Sequence, residues 1–141
     1  MAVGRPKLAH AREGIAEYLT RVRCFAPVEI EQVKASHPLK EGEDLLGRSR
    51  ECFRLVLDER GKSFTSREFA AEVQRIEGHP RKTCALLVGG ADGLSESVRR
   101  EADRLWSLSS LTFQHEMALM VALEQIYRAH TILSGLPYHR D

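Results

Sequence analysis

The residues that could do chemistry gather in four places. In "VGGADGLSES", Gly89, Gly90 and Gly93 would let backbone N–H groups come close to a ligand, and a helix start follows. The spacing is not G-x-G-x-x-G and no Gly-Lys-Ser/Thr follows, so neither a dinucleotide fingerprint nor a Walker loop is present. Asp92 would repel a phosphate. The loop therefore suits a less charged ligand, such as an adenosine or an amino-acid tail, or it is simply a tight strand-to-helix turn. In "SLSSLTFQH", Ser107, Ser109, Ser110 and Thr112 lead to His115. Their hydroxyls could hold a polar ligand, or Thr112 could cap the following helix. His115 would then lie in that helix's first turn, as a proton-transfer group or as an ordinary exposed histidine. A hydrolase using Ser109 or Ser110 with His115 has no G-x-S-x-G elbow and no placed acid to support it. The third place is "LDERGKS", and the fourth is the end of the chain, "LPYHR", which presents Tyr138, His139 and Arg140.

These residues need elements to position them. "AREGIAEYLTRV" reads as a helix from Leu8 to about Val22, with Ile15, Tyr18, Leu19 and Val22 on one face. "MAVG" is a very short strand and "PVEIEQV" alternates as a strand does. "KASHPLKEG" reads as a polar loop broken by Pro38, and Glu41–Arg50 as a short helix. "FRLVLD" predicts a strand over Phe53–Asp58, with "ERGKS" as the turn after it. "TSREFAAEVQRIEG" has a hydroxyl N-cap, a stripe of Phe69, Val73 and Ile76, and Gly78 at its C-terminal end. "TCALLVGG" is a continuous apolar run, as expected for a strand covered on both faces. A short helix capped by Ser95, a strand around Leu105–Leu108 and a long helix from Phe113 to about Leu133 complete the chain.

Alternating strands and helices predict an α/β fold: one domain over residues 1–141, with a mainly parallel sheet of about five strands and helices on both faces. In such sheets ligands bind beyond the carboxyl ends of the strands, where the first three of the four places fall. The last helix is apolar over most of its circumference (Met117, Leu119, Met120, Val121, Leu123, Ile126, Tyr127), which predicts burial in a homodimer interface.

The chain's 141 residues are 43% hydrophobic and 29% charged, with a net charge of +1. That excludes a global pull toward nucleic acid, yet residues 1–23 carry Arg5, Lys7, Arg12, Arg21 and Arg23 against only Glu13 and Glu17. No apolar run approaches the roughly 20 residues that span a bilayer, and no secretory h-region opens the chain, so the expected place is cytoplasmic. Cys24, Cys52 and Cys84 are odd in number and widely spaced, which argues against disulfides and zinc; they are expected as small structural residues.

Taken together, "LVLDERGKSFTSREFA", "LLVGGADGLS", "WSLSSLTFQHEMALMVALEQIYRA" and "LPYHR" closely resemble the RlmH family of SPOUT-class (α/β-knot) methyltransferases. "AREGIAEYLTRV" matches that family's first helix, so the resemblance spans nearly the whole chain. It implies transfer of a methyl group from S-adenosylmethionine to N3 of a pseudouridine in large-subunit (23S) rRNA, on the assembled ribosome. It implies a C-terminal trefoil knot and a homodimer. The implied cofactor contacts are Leu57, Gly90, Ser109, Ser110, Leu111, Thr112, Phe113 and Gln114; the implied base-handling residues are His115, Tyr138, His139 and Arg140, at a site both subunits complete. A non-catalytic ribosome-binding module on the same fold is the alternative. Two departures stand out. The first strand lacks apolar residues that the family carries before "AVG", and Leu119 stands where the family usually has an arginine.

Overall fold

In the computed structural model of the chain, which describes residues 1–140, ten elements follow one another. They are β1 (Ala2–Val3), α1 (Ala9–Val22), β2 (Gln32–Val33), α2 (Pro38–Arg48), β3 (Phe53–Ser63), α3 (Ser66–Glu77), β4 (Cys84–Val88), α4 (Glu96–Arg100), β5 (Arg104–Ser107) and α5 (His115–Leu133). The five strands form one parallel sheet in the order β2-β1-β4-β3-β5.

Side-chain alternation along the central strands decides which helix goes where. On one face Val56, Ala85 and Leu87 join Leu45 of α2 and Val98 of α4. On the other, Leu55 and Trp106 pack on Phe69 and Val73 of α3 and Ala122 and Ala129 of α5. The same face continues at Ala2 and Val88, which meet Ile15 of α1 and Leu119 and Leu123 of α5. Leu87 and Val56 are wholly buried, as the unbroken apolar run of β4 requires.

The local chemistry explains the boundaries. Thr65 and Glu68 form a reciprocal capping box at the start of α3. Pro38 does not break structure: it stands at the first position of α2, where its missing N–H costs nothing, and His37 Nδ1 accepts from Leu39 N–H at 3.3 Å. "ERGKS" is not a free turn either. β3 continues through it, and pairing with Trp106 shifts register from Leu57 to Lys62. β2 is cut to two residues, with Val28 and Ile30 left outside the ladder. Cys24 and Cys84 are exposed rather than in the core, whereas Cys52 is half-buried and packs against the cluster around Leu45, Leu87 and Val98.

Candidate active site

Beyond the carboxyl ends of β4 and β5, beside the register shift in the middle of β3, lies a cleft of about 360 Å³, in the usual range for small-molecule sites. β3 contributes Leu57 and then, at its register shift, Asp58 and Glu59. β4 runs out into Gly89–Leu94. β5 contributes Trp106 and leads into Ser107–Phe113, and His115 and Ala118 close the cleft from α5.

The glycine loop is held from inside the protein. A Cβ at Gly89 would stand 2.9 Å from Leu94 Cγ, and one at Gly90 would stand 3.1 Å from Val3 Cγ1. Both glycines are thus required by packing against their own fold. Gly93 has φ +76°, the left-handed region where glycine is at home, and Gly90 and Gly93 bridge each other across the turn. Asp58 braces this wall: Arg99 Nε donates to its Oδ2 at 2.7 Å and Arg60 N–H to its Oδ1 at 3.0 Å. Among the described residues Arg99 is the only lysine or arginine lining the cleft, and this pair neutralises it, while the rim keeps Glu59 and Asp92.

The hydroxyl loop folds on itself. Ser107 Oγ donates to Ser109 O at 2.9 Å, and Leu111 N–H donates to Ser109 Oγ at 3.1 Å. Of the residues expected to touch the ligand, Leu57, Gly90, Ser109, Leu111, Thr112 and Phe113 line the cleft, and Ser110 and Gln114 do not. The cap of α5 is Gln114 rather than Thr112: its Oε1 accepts from Glu116 N–H at 2.8 Å and Met117 N–H at 3.0 Å. His115 sits half-buried at the cleft mouth. Its neighbour Glu116 keeps Oε1 3.9 Å from His115 Nε2, while its Oε2 accepts from Lys7 N–H at 2.9 Å and Leu8 N–H at 2.8 Å. Those two donors, Leu8 first, hold the Glu116 carboxyl below the usual carboxylate range. The β1–α1 loop is thereby strapped to the residue beside His115.

The tail is elsewhere. Tyr138 hydroxyl donates to Glu124 Oε1 at 3.0 Å, and its ring meets Tyr127 edge-on at 4.7 Å. The Arg128 guanidinium lies 4.7 Å over the Tyr138 ring, and its Nη1 is 3.4 Å from His139 Nδ1. Burial, then hydrogen bonds with Tyr18 and Glu124, raise the Tyr138 phenol above its ordinary range. Tyr138 is therefore held, not loose. Tyr127 lies about 18 Å along α5 from His115, at 1.5 Å per residue. Within one chain Tyr138 thus packs along α5 beside Glu124 and Tyr127, whereas the cofactor loop leads into the N-terminal end of that helix.

Comparison with known proteins decides the family. The family described as "Predicted SPOUT methyltransferase" matches residues 1–139. Relatives named "Ribosomal RNA large subunit methyltransferase H" are 47% identical in Thermus thermophilus (99% of this chain, 96% of the relative) and 42% identical in Geobacter sulfurreducens (97% and 95%). The one from Deinococcus radiodurans is 38% identical (99% and 96%). This chain belongs to the RlmH family of SPOUT methyltransferases. Among solved structures, the SpoU methyltransferase AviRb from Streptomyces viridochromogenes, in complex with AdoMet, is 14% identical, with TM-score 0.47, covering 92% of this chain and 56% of that one.

In this SPOUT methyltransferase Leu119 has a structural role. It is 7% exposed and packs among Ala2, Ile15, Val88 and Leu123, so a charged side chain there would be driven into the core. Of the wall residues, Asp58 falls in "LDERGKS" and Trp106 opens "WSLSSLTFQH", whereas nothing in the sequence marks Arg99. Asp58 reaches the cleft only through the irregularity in β3, and Arg99 only through α4 folding back beneath the glycine loop. Among the described residues no group of three or more His, Cys, Asp or Glu is gathered as metal ligands, and no helix is long and apolar enough to cross a membrane.

Proposed function

We propose that this chain transfers a methyl group from S-adenosylmethionine to N3 of a pseudouridine in large-subunit rRNA, on the assembled ribosome, as a cytoplasmic homodimer. The observation that carries it is the cleft: glycine-floored, at the carboxyl ends of β4 and β5 and beside the register shift of β3, with His115 at its mouth, in a chain of this family. The donor set fits the cofactor. Ser109 and Thr112 offer hydroxyls for the ribose and purine edges, and Leu57, Leu94 and Leu108 offer apolar surface for the ring. Glu59 and Asp92 suit a ligand bearing sulfonium and ammonium charge, and Arg99, tied to Asp58, is not available as a phosphate clamp. When bound, S-adenosylmethionine supplies a methyl group already activated as a sulfonium.

The protein's own work is then positioning and proton handling. The loop Ser107–Phe113 and the glycine turn orient the donor, which lowers the barrier by fixing the approach of the reacting atoms. The His115 imidazole, at the mouth, is placed to take the weakly acidic N3 proton of the base. Tyr138, His139 and Arg140 act on the same base from a second protomer. The distance between Tyr127 and His115 supports that reading, since a chain's own tail is spent on its own α5. The trefoil knot belongs to the same proposal, with the glycine and hydroxyl loops as its crossing segments.

Calorimetry with S-adenosylmethionine and a methyl-transfer assay on intact ribosomes test it. Binding and transfer are both expected. Binding to ribosomes without any methyl transfer would leave the non-catalytic module standing instead. Removal of residues 138–141 is expected to leave cofactor binding nearly intact and to abolish transfer; loss of cofactor binding in that variant would make the tail a structural strap.

A further inference from the structure

The excess of basic residues near the start of the sequence is not used by the cofactor cleft. Its position in the fold gives it a use. Arg5, Pro6 and Lys7 form the loop between β1 and α1, at the carboxyl edge of the sheet. Arg5 and Pro6 line the same small cavity as His115 and Glu116. Glu116 fixes the loop to α5 through the N–H groups of Lys7 and Leu8. Arg5 is exposed, and its Nε donates to Gln32 Oε1 at 2.9 Å. On the other side, Gly4 N–H donates to Val33 O at 2.8 Å, which places the loop beside Lys34, exposed at the end of β2. Lys7 and Lys34 have no ion-pair partner among the described residues.

We infer that Arg5, Lys7 and Lys34 form a ledge that binds the phosphodiester backbone of the RNA strand flanking the target base, and so steer that base to His115. The inference rests on the RNA-methylating reading above. The two rims of the cleft are electrically opposite. Glu59 and Asp92 stand on the β3–β4 side, whereas on the β1–β2 side Arg5 shares a small cavity with His115, with Lys7 two residues on and Lys34 at the end of the neighbouring strand β2. An anionic backbone whose base enters at His115 is repelled from the first rim and attracted to the second. Phosphate contacts of this kind fix register and orientation without reading sequence. Gln32 holds the Arg5 fork in place, which suits bidentate contact with a phosphate.

The test uses the full chain with residues 5, 7 and 34 changed together, Arg5→Ala, Lys7→Ala and Lys34→Ala. A second variant keeps the charge, with Arg5→Lys and Lys7→Arg. Binding to intact large ribosomal subunits is followed by co-sedimentation at several salt concentrations, and S-adenosylmethionine binding by calorimetry. The neutral variant is expected to bind the cofactor as the wild type does and to bind subunits about tenfold or more weakly. Its slope of log affinity against log salt should be shallower by about 2, as expected when two to three phosphate contacts at roughly 0.7–0.9 each are lost. The charge-keeping variant should recover most of the affinity. Unchanged subunit affinity and salt slope in the neutral variant, with cofactor binding intact, would overturn the ledge. Methyl transfer is measured separately in the wild type. Its absence would defeat the enzymatic reading, while the binding data still decide the ledge.

Discussion

Glu116 and His115 are adjacent in sequence and face opposite tasks. The imidazole meets the cleft, and the carboxylate ties down the loop before α1. Glu116→Ala is expected to destabilise the fold by about 1–2 kcal/mol, the usual effect of removing a helix-start acceptor; Glu116→Gln, which keeps an acceptor oxygen, should cost less. Urea midpoints of the two variants check this order. Because the folded-state value of Glu116 is lowered, its contribution is full above the unfolded value of about 4.3 and fades as pH falls through the folded one. His130 works on a higher window. It stacks on Phe25 at 5.3 Å, and burial lowers its pKa against the opposing pull of Glu77. The unfolded chain then takes up the proton first, so stability should decline as pH falls below about 6.5. His130→Phe should flatten that part of the curve; an unchanged slope would remove His130 as its source. None of these roles could be read from the residues alone, because a lone histidine or glutamate has no periodic pattern.

At the scale of elements, β3 departs most from the sequence reading. "FRLVLD" is visible as a strand from its alternating apolar residues, but "ERGKS" contains turn-formers and reads as its end. In the fold, Gly61 lets the chain lie backbone against backbone on β5: a Cβ there would come within 2.5 Å of Trp106 N. Gly61→Val should therefore force β5 away, at a cost of about 1–3 kcal/mol or more, and weaken cofactor binding, because Trp106 and Ser107 form the adjacent cleft wall. Gly47 is the opposite case. It lies in α2 with nothing within 4 Å of its added Cβ, so Gly47→Ala should raise stability by about 0.5–1 kcal/mol. Thermal melts of the two variants should move in opposite directions. α3, by contrast, was legible to within one residue, since a capping box, an apolar stripe and a terminal glycine are all local features.

For the whole molecule, the question is which chain's tail serves a cleft, since Tyr138 packs on Tyr127, about 18 Å along α5 from His115. The homodimer proposed above would bring a second chain's tail to it, and mixing distinguishes the geometry. A protein lacking residues 138–141 and a His115→Ala protein should each be inactive alone. Mixed to allow exchange of subunits, they should regain methyl transfer, since one heterodimer site unites an intact His115 with an intact tail. No recovery in a mixture shown by sedimentation to form heterodimers would assign the tail to its own chain's site.

What the sequence by itself determined was the alternation of strands and helices, the buried character of β4, the caps of α3 and the family pattern. These rest on neighbours within a few residues or on a pattern of residue types spread along the chain. What only the tertiary structure decided were contacts between distant segments: Asp58 with Arg99, Glu116 with the β1–α1 loop, Leu119 in the core and Tyr138 on Glu124. The physical reason is that such contacts are set by strand order and helix packing, which bring together residues whose local sequences contain no trace of each other. The basic residues at the start of the chain show the division most clearly. Their charge was plain in the sequence, and the place of Arg5 in one cavity with His115 came from the sheet.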